Sequence, residues 1–395
     1  MASLPLHEAD MKPKQAITAT NLPAHTQDPS VVAESLSKLV DQSAKHTDVR
    51  HGIHAPMHKL AQLPFVHKLI PGLEKLATEY HVGNYVYDRQ TGQRFWESMP
   101  IYPRLGMHLL FYGGEQRKIL HNKDIESILE ELSVRQGRIY DSPESVKNIP
   151  SFIETYTIAL DELLEPDPTK YRTMNDFFYR HIKPGARPVQ NADVPGAICS
   201  AADCRLVVYP SVDLATKLWI KGNEFTIPHL LGVPDDSEQA RAFEGAGVAC
   251  FRLAPADYHR FHSPLDGTVG ETTDIPGQYY TVNPQAVNEP GFDVFTANKR
   301  SVLYLTHTAS GKQVAFVAIG AMLVGSIKWT GGAQKGSTVA RGDELGFFAY
   351  GGSTVVCLFP AGLVAFDEDL VKNSGAAEPV ETYVKVGWSV GKANL

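Results

Sequence analysis

Three short segments carry residues whose types and spacing suit covalent or proton-transfer chemistry. In Ala349-Tyr-Gly-Gly-Ser-Thr-Val-Val-Cys-Leu-Phe359, two glycines precede Ser353 and an apolar run follows it. Glycine reaches backbone conformations that a Cβ resists, so the Gly352 carbonyl can be presented to the Ser353 hydroxyl across one peptide bond. Attack there turns the amide into an ester. Elimination then cuts the chain between Gly352 and Ser353 and leaves a dehydroalanine that hydrolyses to an N-terminal pyruvoyl group. The same residues also fit a plain glycine-rich turn feeding a buried strand.

The second segment, Phe251-Arg-Leu-Ala-Pro-Ala-Asp-Tyr-His-Arg-Phe-His-Ser-Pro264, holds His259 and His262, whose imidazoles titrate near neutrality and can move protons. In a strand, positions i and i+3 face opposite sides, whereas a turn can bring both rings to one cavity; Pro255 and Pro264 favour irregular backbone. A structural or surface histidine pair has the same signature. The third segment, Cys199-Ser-Ala-Ala-Asp-Cys-Arg-Leu-Val-Val-Tyr209, sets Asp203 at the mouth of an apolar strand. An acid there could orient a histidine and stabilise its imidazolium, or simply occupy the turn before the strand. Two further patterns compete with these. Gly336-Ser337-Thr338 is a second Gly-Ser-Thr tripeptide open to the same acyl shift. His51, His54 and His58 could place three imidazoles on one helical face, but Pro56 interrupts them and no acidic ligand is close, so a surface helix start is expected and no metal.

These segments need elements to hold them. Residues 1–50 mix Pro, Thr, Ser and Ala with scattered charge and read as a mobile arm. Over 51–165, Leu60, Leu63, Ile70, Leu73 and Leu76, then Ile125, Ile128, Leu129 and Leu132, recur near helical spacing, with Pro64 and Pro71 dividing the first stretch. Within this region Asn84-Tyr-Val-Tyr-Asp88, followed by Gln90-Thr-Gly-Gln93, predicts a strand and turn. From 166 to 395, short β-branched runs such as Arg205–Tyr209, Ser301–Leu305 and Gln313–Val317 alternate with Gly, Pro and Asp. The expected fold is α+β: a helical N-terminal region followed by a mainly antiparallel β-sandwich or open-barrel catalytic domain.

Composition narrows the function classes. The 395 residues carry 37 Lys plus Arg against 44 Asp plus Glu, a net charge of −7 with no basic run, so nucleic acid is not an expected partner. Four cysteines without CxxC spacing read as reduced, buried thiols rather than zinc ligands or disulfides. No GxGxxG, GxxxxGK[ST] or GxSxG occurs where it would carry function. The longest apolar stretch, Ala315 to Ile327, is broken by glycines and falls short of the roughly 18 residues of a spanning helix. With no secretory or transit leader evident, a cytoplasmic location is expected.

Taken together, the segments resemble the phosphatidylserine decarboxylase family, whose members are proenzymes that cleave themselves to generate a pyruvoyl prosthetic group. The resemblance runs from about Asn84 onward. It rests on Asp176-Phe-Phe-Tyr-Arg-His-Ile-Lys-Pro-Gly-Ala-Arg-Pro188, Lys221-Gly222 before Ile227 and Leu230-Leu-Gly232, Asp257-Tyr-His-Arg-Phe-His262, Gly320-Ala-Met-Leu-Val-Gly-Ser-Ile327 and Gly346-Phe-Phe-Ala-Tyr-Gly-Gly-Ser-Thr354. It implies that Ser353 is the self-cleaving serine, giving chains 1–352 and 353–395 that stay associated. It further implies that Asp203 and His262 are the acid and base that activate Ser353, and that His259 serves substrate binding and decarboxylation. Gly351-Gly-Ser-Thr354 matches the family motif, whereas Ala202-Asp203-Cys204 departs from the more usual Pro-x-Asp-Gly. Val339-Ala-Arg-Gly-Asp-Glu-Leu-Gly346 resembles the stretch before the family's cleavage site, which favours Ser353 over Ser337.

The implied reaction converts phosphatidylserine to phosphatidylethanolamine without pyridoxal phosphate or a metal, the pyruvoyl carbonyl accepting the electron pair released with carbon dioxide. Asn84 to Tyr112 is similar to a subfamily that in plants and fungi often carries a C2 domain; none is recognised here. Pro100-Ile-Tyr-Pro-Arg-Leu-Gly-Met-His-Leu-Leu-Phe-Tyr112 suits either an interfacial helix or the core of the helical region, so peripheral membrane contact is an expectation. A homodimer is implied by the family. Fungal relatives that decarboxylate soluble aromatic amino acids such as tryptophan supply a second substrate class. A β-rich binding protein that never cleaves is a third reading.

Overall fold

The β-branched runs form strands in a computed structural model that describes residues 83–98, 134–220, 225–280, 293–321, 326–350 and 353–395, with Val282 and Val287. The arm over 1–50, the histidines at 51, 54 and 58, the helices read around Leu60–Leu76 and Ile125–Leu132, and the segment from Pro100 to Tyr112 lie outside the described residues. Described strands are β1 (Gly83–Asp88), β2 (Gln93–Ser98), β3 (Ala197–Cys199), β4 (Cys204–Tyr209), β5 (Gly247–Leu253), β6 (Arg260–His262), β7 (Gly267–Ile275) and β8 (Arg300–His307). They continue with β9 (Gln313–Gly320), β10 (Ile327–Trp329), β11 (Thr338–Val339), β12 (Glu344–Phe348), β13 (Ser353–Phe359), β14 (Val364–Phe366), β15 (Glu381–Val384) and β16 (Ser389–Ala393).

Among the described residues, the chain has mixed α/β content built on large, mainly antiparallel sheets that do not close. The main sheet has the order β11-β7-β8-β9-β13-β5-β4-β15-β1-β2, so it ends in edges at β11 and β2; β10-β12-β6 and β14-β16-β3 form two smaller sheets. The chain divides into two compact units, one of which comprises residues 86–94, 161–166 and 178–395 and holds most of the main sheet. At its centre, β13 is buried along its whole length between β9 and β5, which explains an apolar run without alternation. Residues opposite one another run from Ser353 with Leu253 to Phe359 with Gly247. β1 joins the same sheet as a parallel neighbour of β15, Val86 opposite Glu381, a pairing between segments some 300 residues apart that no hairpin could announce in the sequence. The turn after β1 is the one expected: Asp88 accepts from the Gln90 and Thr91 amides, and Gly92 takes a positive φ of 72°.

The described core of the other unit is helical. A 3₁₀ turn at Pro143–Asn148 leads into an α-helix at Ile149–Tyr156, which ends at Thr157 in the left-handed conformation. Phe152 packs edge-on to Phe177, and the Ser145 hydroxyl accepts from the Met174 amide. Among the described residues, no helix is long and apolar enough to cross a membrane.

Candidate active site

Ser353 opens β13 and is fully buried, opposite Gly320 on β9 and Leu253 on β5. Its neighbours Gly351 and Gly352 lie outside the described residues. Directly after β5, the chain reverses at Ala254-Pro255-Ala256-Asp257, where Pro255 presets the first corner of a turn. The Asp257 amide donates to the Ala254 carbonyl at 2.9 Å, and the Asp257 carboxylate accepts from the Ala254 amide at 2.7 Å, so the turn is closed in both directions. Two residues later His259 lies over Ser353, with Nδ1 3.5 Å from the Ser353 Oγ.

The partner of the other ring nitrogen determines what this contact can do. His259 Nε2 lies 3.0 Å from the Ala254 carbonyl, which can only accept, so Nε2 carries the hydrogen. In the neutral ring Nδ1 then holds a lone pair, and the serine hydroxyl donates to it. The ring is wholly buried, with the Phe178 ring 4.0 Å away and tilted by 31°. Tyr350 meets the edge of Phe178 at 4.9 Å. Burial is the main cause that pushes the His259 imidazole down to about 3, and the nearby Arg180 and Arg205 guanidiniums act in the same direction. His259 is therefore neutral throughout the physiological range.

His262 is built into a different environment. It ends β6 opposite Glu344 of β12, its amide donates to the Ala201 carbonyl at 2.7 Å, and its Nδ1 donates to the Gly342 carbonyl at 2.8 Å. Its Nε2 therefore accepts from the Tyr258 hydroxyl at 3.3 Å. Burial also lowers this imidazole, against opposing contributions from the Gly342 carbonyl, Glu344 and Asp203. Asp203, in the turn before β4, is gripped by Arg187: Nε lies 3.0 Å from both carboxylate oxygens and Nη2 2.7 Å from one. The Val386 amide donates to it at 2.9 Å. Burial alone would lower Arg187, but Asp203 and Glu162 outweigh it and raise the guanidinium. Asp203 acts on His262 through space rather than through a hydrogen bond.

The structure thus brings Ser353 and His259 together and leaves His262 and Asp203 engaged with other partners. Four residues that the sequence did not single out support the pair: Phe178 covers the imidazole, Ala254 holds its Nε2, and Asp257 and Arg180 hold the turn, Arg180 donating to the Ala256 and Asp257 carbonyls at 3.0 and 3.2 Å. Pro255 followed by Asp257 is the one local signal of that turn. Arg205 is paired with Asp257 and Arg260 with Glu344, while Lys221 lies outside the described residues. Ser337 sits near the sheet edge, its carbonyl accepting from the Val269 amide, half-buried and with no hydrogen bond from its hydroxyl to a histidine among the described residues. All four cysteines are buried and free, and burial pushes Cys199 and Cys250 up to about 12. Among the described residues no group of three His, Cys, Asp or Glu side chains is arranged to hold a metal ion.

The sequence model described as phosphatidylserine decarboxylase matches residues 174–392, which include all of these site residues. Phosphatidylserine decarboxylase proenzyme 3 of Schizosaccharomyces pombe is 45% identical over 307 residues, covering 78% of this chain and 31% of that protein. Phosphatidylserine decarboxylase proenzyme 2 of Oryza sativa subsp. japonica is 42% identical over 337 residues, covering 85% of this chain and 52% of its own length. This chain therefore spans about half, or less, of these longer relatives. The phosphatidylserine decarboxylase proenzyme of Fusobacterium nucleatum subsp. nucleatum is 36% identical over 260 residues, 66% of this chain and 83% of the relative. With the family model covering more than half of its length and a relative matched over most of its own, this chain belongs to the phosphatidylserine decarboxylase family.

Proposed function

We propose that this chain is a self-cleaving, pyruvoyl-dependent decarboxylase that converts phosphatidylserine to phosphatidylethanolamine. The observation that carries this reading is the Ser353 hydroxyl, buried at the start of β13 and facing the unprotonated Nδ1 of His259, inside the segment shared with decarboxylase proenzymes. In this geometry His259 takes the Ser353 hydroxyl proton while Oγ bonds to the Gly352 carbonyl carbon. The Gly352–Ser353 amide bond then breaks, its nitrogen takes up a proton, and an ester joins the two residues. Loss of the Ser353 α-proton expels the Gly352 carboxylate and leaves dehydroalanine. Water then adds, ammonia leaves, and residue 353 ends as a pyruvoyl group. The reading gives His259 the role of base that family resemblance alone would give His262, because both His262 nitrogens are already committed.

Position 353 suits such a group. It is shut off from water, and its side chain lies against a neutral imidazole rather than a charged one. Once formed, the pyruvoyl group supplies a carbonyl that accepts the electron pair left when carbon dioxide departs. Phe178 keeps water from His259, and His259 is the group available to hold or move a proton at residue 353. Residues 353–395 would remain with 1–352, since β13 lies between β9 and β5, β15 between β1 and β4, and β16 beside β3. Withdrawing them would open all of these pairings. Contact with a lipid surface and a homodimer belong to the same reading and are tested by vesicle flotation and sedimentation.

Mass spectrometry of the purified chain tests cleavage: fragments 1–352 and 353–395, the second bearing an N-terminal pyruvoyl group, are expected. Incubation with phosphatidylserine vesicles should yield phosphatidylethanolamine. Amine formed from free tryptophan but not from the lipid would move the substrate to the soluble amino acids. An intact chain with unmodified Ser353 would favour a non-cleaving binding protein.

A further inference from the structure

We propose that the turn after β1 is a clasp for the short chain: Arg89 binds residues 353–395 at three of their elements and holds them in the enzyme once the Gly352–Ser353 bond is cut. This rests on the reading that the chain cleaves itself there. β15 belongs to the short chain and lies between β4 and β1, both of which precede the cut. Its inner neighbour β4 leads on into the main sheet. Its outer neighbour meets it through Val86, Tyr87 and Asp88, opposite Glu381, Thr382 and Tyr383. Three parallel pairs are a short ladder, and parallel pairing is the weaker kind. A hold beyond the ladder is what the next residue, Arg89, provides.

The Arg89 guanidinium forks onto the Asp369 carboxylate, Nε donating to one oxygen at 2.7 Å and Nη2 to the other at 2.8 Å. Nη2 also donates to Asp367 at 2.8 Å, Nη1 donates to the Ser389 carbonyl, and the Arg89 amide donates to the Tyr383 carbonyl at 3.4 Å. Asp367 and Asp369 stand at the start of the helix Glu368–Ser374, Ser389 opens β16, and Tyr383 lies in β15. All of these partners follow the cut. An aspartate in the N-cap position ordinarily accepts from the first amides of its own helix, yet Asp367 makes no such bond and gives its carboxylate to Arg89. The Arg89 side chain is 18% exposed, so these charges are screened less than on an open surface.

Before the cut the contacts lie within one chain. After it they become contacts between two chains, and no peptide bond keeps residues 353–395 near. Arg89 is also remote from the chemistry: β1 is four strands from β13 in the main sheet, about 19 Å at ordinary strand spacing. The clasp therefore acts on retention of the short chain and not on the reaction at residue 353.

The test uses the full chain with an affinity tag ahead of residue 1, allowed to cut, bound to resin and washed at a fixed urea concentration below that which unfolds the uncut Ser353→Ala chain. Denaturing gels of the washes follow the 353–395 fragment. Arg89→Met should release it about tenfold faster than the unaltered chain, and Asp367→Asn/Asp369→Asn should do the same from the other side. Combining the three substitutions should add less than about twofold to the faster of the two, because both break one contact. Cutting should stay within about threefold of the unaltered rate in every variant. Release at the unaltered rate by a folded, cut Arg89→Met chain overturns the proposal. Effects that multiply in the combined variant, or an Arg89→Met chain that cuts tenfold more slowly, also overturn it. Thermal melts identify variants that do not fold. If Arg89→Met is one of them, Asp367→Asn/Asp369→Asn decides, and release from it at the unaltered rate overturns the clasp. An unaltered chain that stays whole on denaturing gels instead overturns the cleavage reading, and the clasp with it.

Discussion

Lowering the pH from about 8 to about 5.5 should leave the rate of self-cleavage at Ser353 unchanged. A histidine with the ordinary value of about 6.5 would be almost wholly neutral at the upper end and only about 9% neutral at the lower, so a rate that depends on it would fall about tenfold. His259 is held near 3 by its burial under Phe178 and by Arg180 and Arg205, so more than about 99% of it is neutral across this range. The same shift has a consequence for stability, with a definite sign. Below about pH 6.5 the unfolded chain takes up a proton at residue 259 that the folded chain refuses until about pH 3, so stability falls as the pH drops through that window. At pH 5 this amounts to about 2 kcal/mol relative to neutral pH. Precursor made by cell-free translation can be diluted into buffers across the range, and the loss of the 395-residue band on denaturing gels gives the rate. Urea titrations of the uncut Ser353→Ala chain, with and without His259→Gln, isolate the contribution of His259 to the pH dependence of stability. A cleavage rate that declines about tenfold with a midpoint near 6.5 would refute the reasoning, as would identical pH dependence of stability in the two chains.

Ser353→Ala should remain a single chain on denaturing gels while Ser337→Ala cuts normally; an uncut Ser337→Ala chain would move the cleavage site. Arg252→Met removes the guanidinium that pairs with both oxygens of the buried Glu381 carboxylate and should lower stability by about 3–5 kcal/mol in urea unfolding. Because Arg252 lies before the cut and Glu381 after it, that variant should also release the 353–395 fragment at a lower urea concentration. Gly346→Ala would set a Cβ 2.3 Å from the Lys328 carbonyl oxygen and 2.6 Å from the Phe261 ring, so its melting temperature should drop by an amount corresponding to about 1–3 kcal/mol.

Much of the site could be read along the chain because its chemistry is local. A serine after two glycines and before an apolar run marks both the candidate bond for cleavage and the strand that begins at it, and β13 is buried throughout as that run requires. The runs at Arg205, Ser301 and Gln313 fall in β4, β8 and β9 for the same reason: β-branched residues bounded by Gly, Pro and Asp have few other ways to bury their side chains. The division of labour between the histidines is of another kind. His259 and His262 differ by three residues, and the turn at Ala254–Asp257 sends one ring to Ser353 while the pairing of β6 with β12 sends the other to Gly342 and Tyr258. Asp203 stands at the expected mouth of β4, yet its carboxylate is committed to Arg187, which lies in a segment whose sequence shows nothing about that partner.

The sequence by itself determined the candidate serine with its two glycines, the candidate titratable residues and the strands that carry them, since each depends on neighbours within a few positions. Tertiary structure alone decided which imidazole meets the serine, which of its nitrogens carries the hydrogen, and that it stays neutral. Those properties arise from a carbonyl five residues away, a phenylalanine 81 residues earlier and two buried arginines, brought together only when the chain folds and excludes water from them.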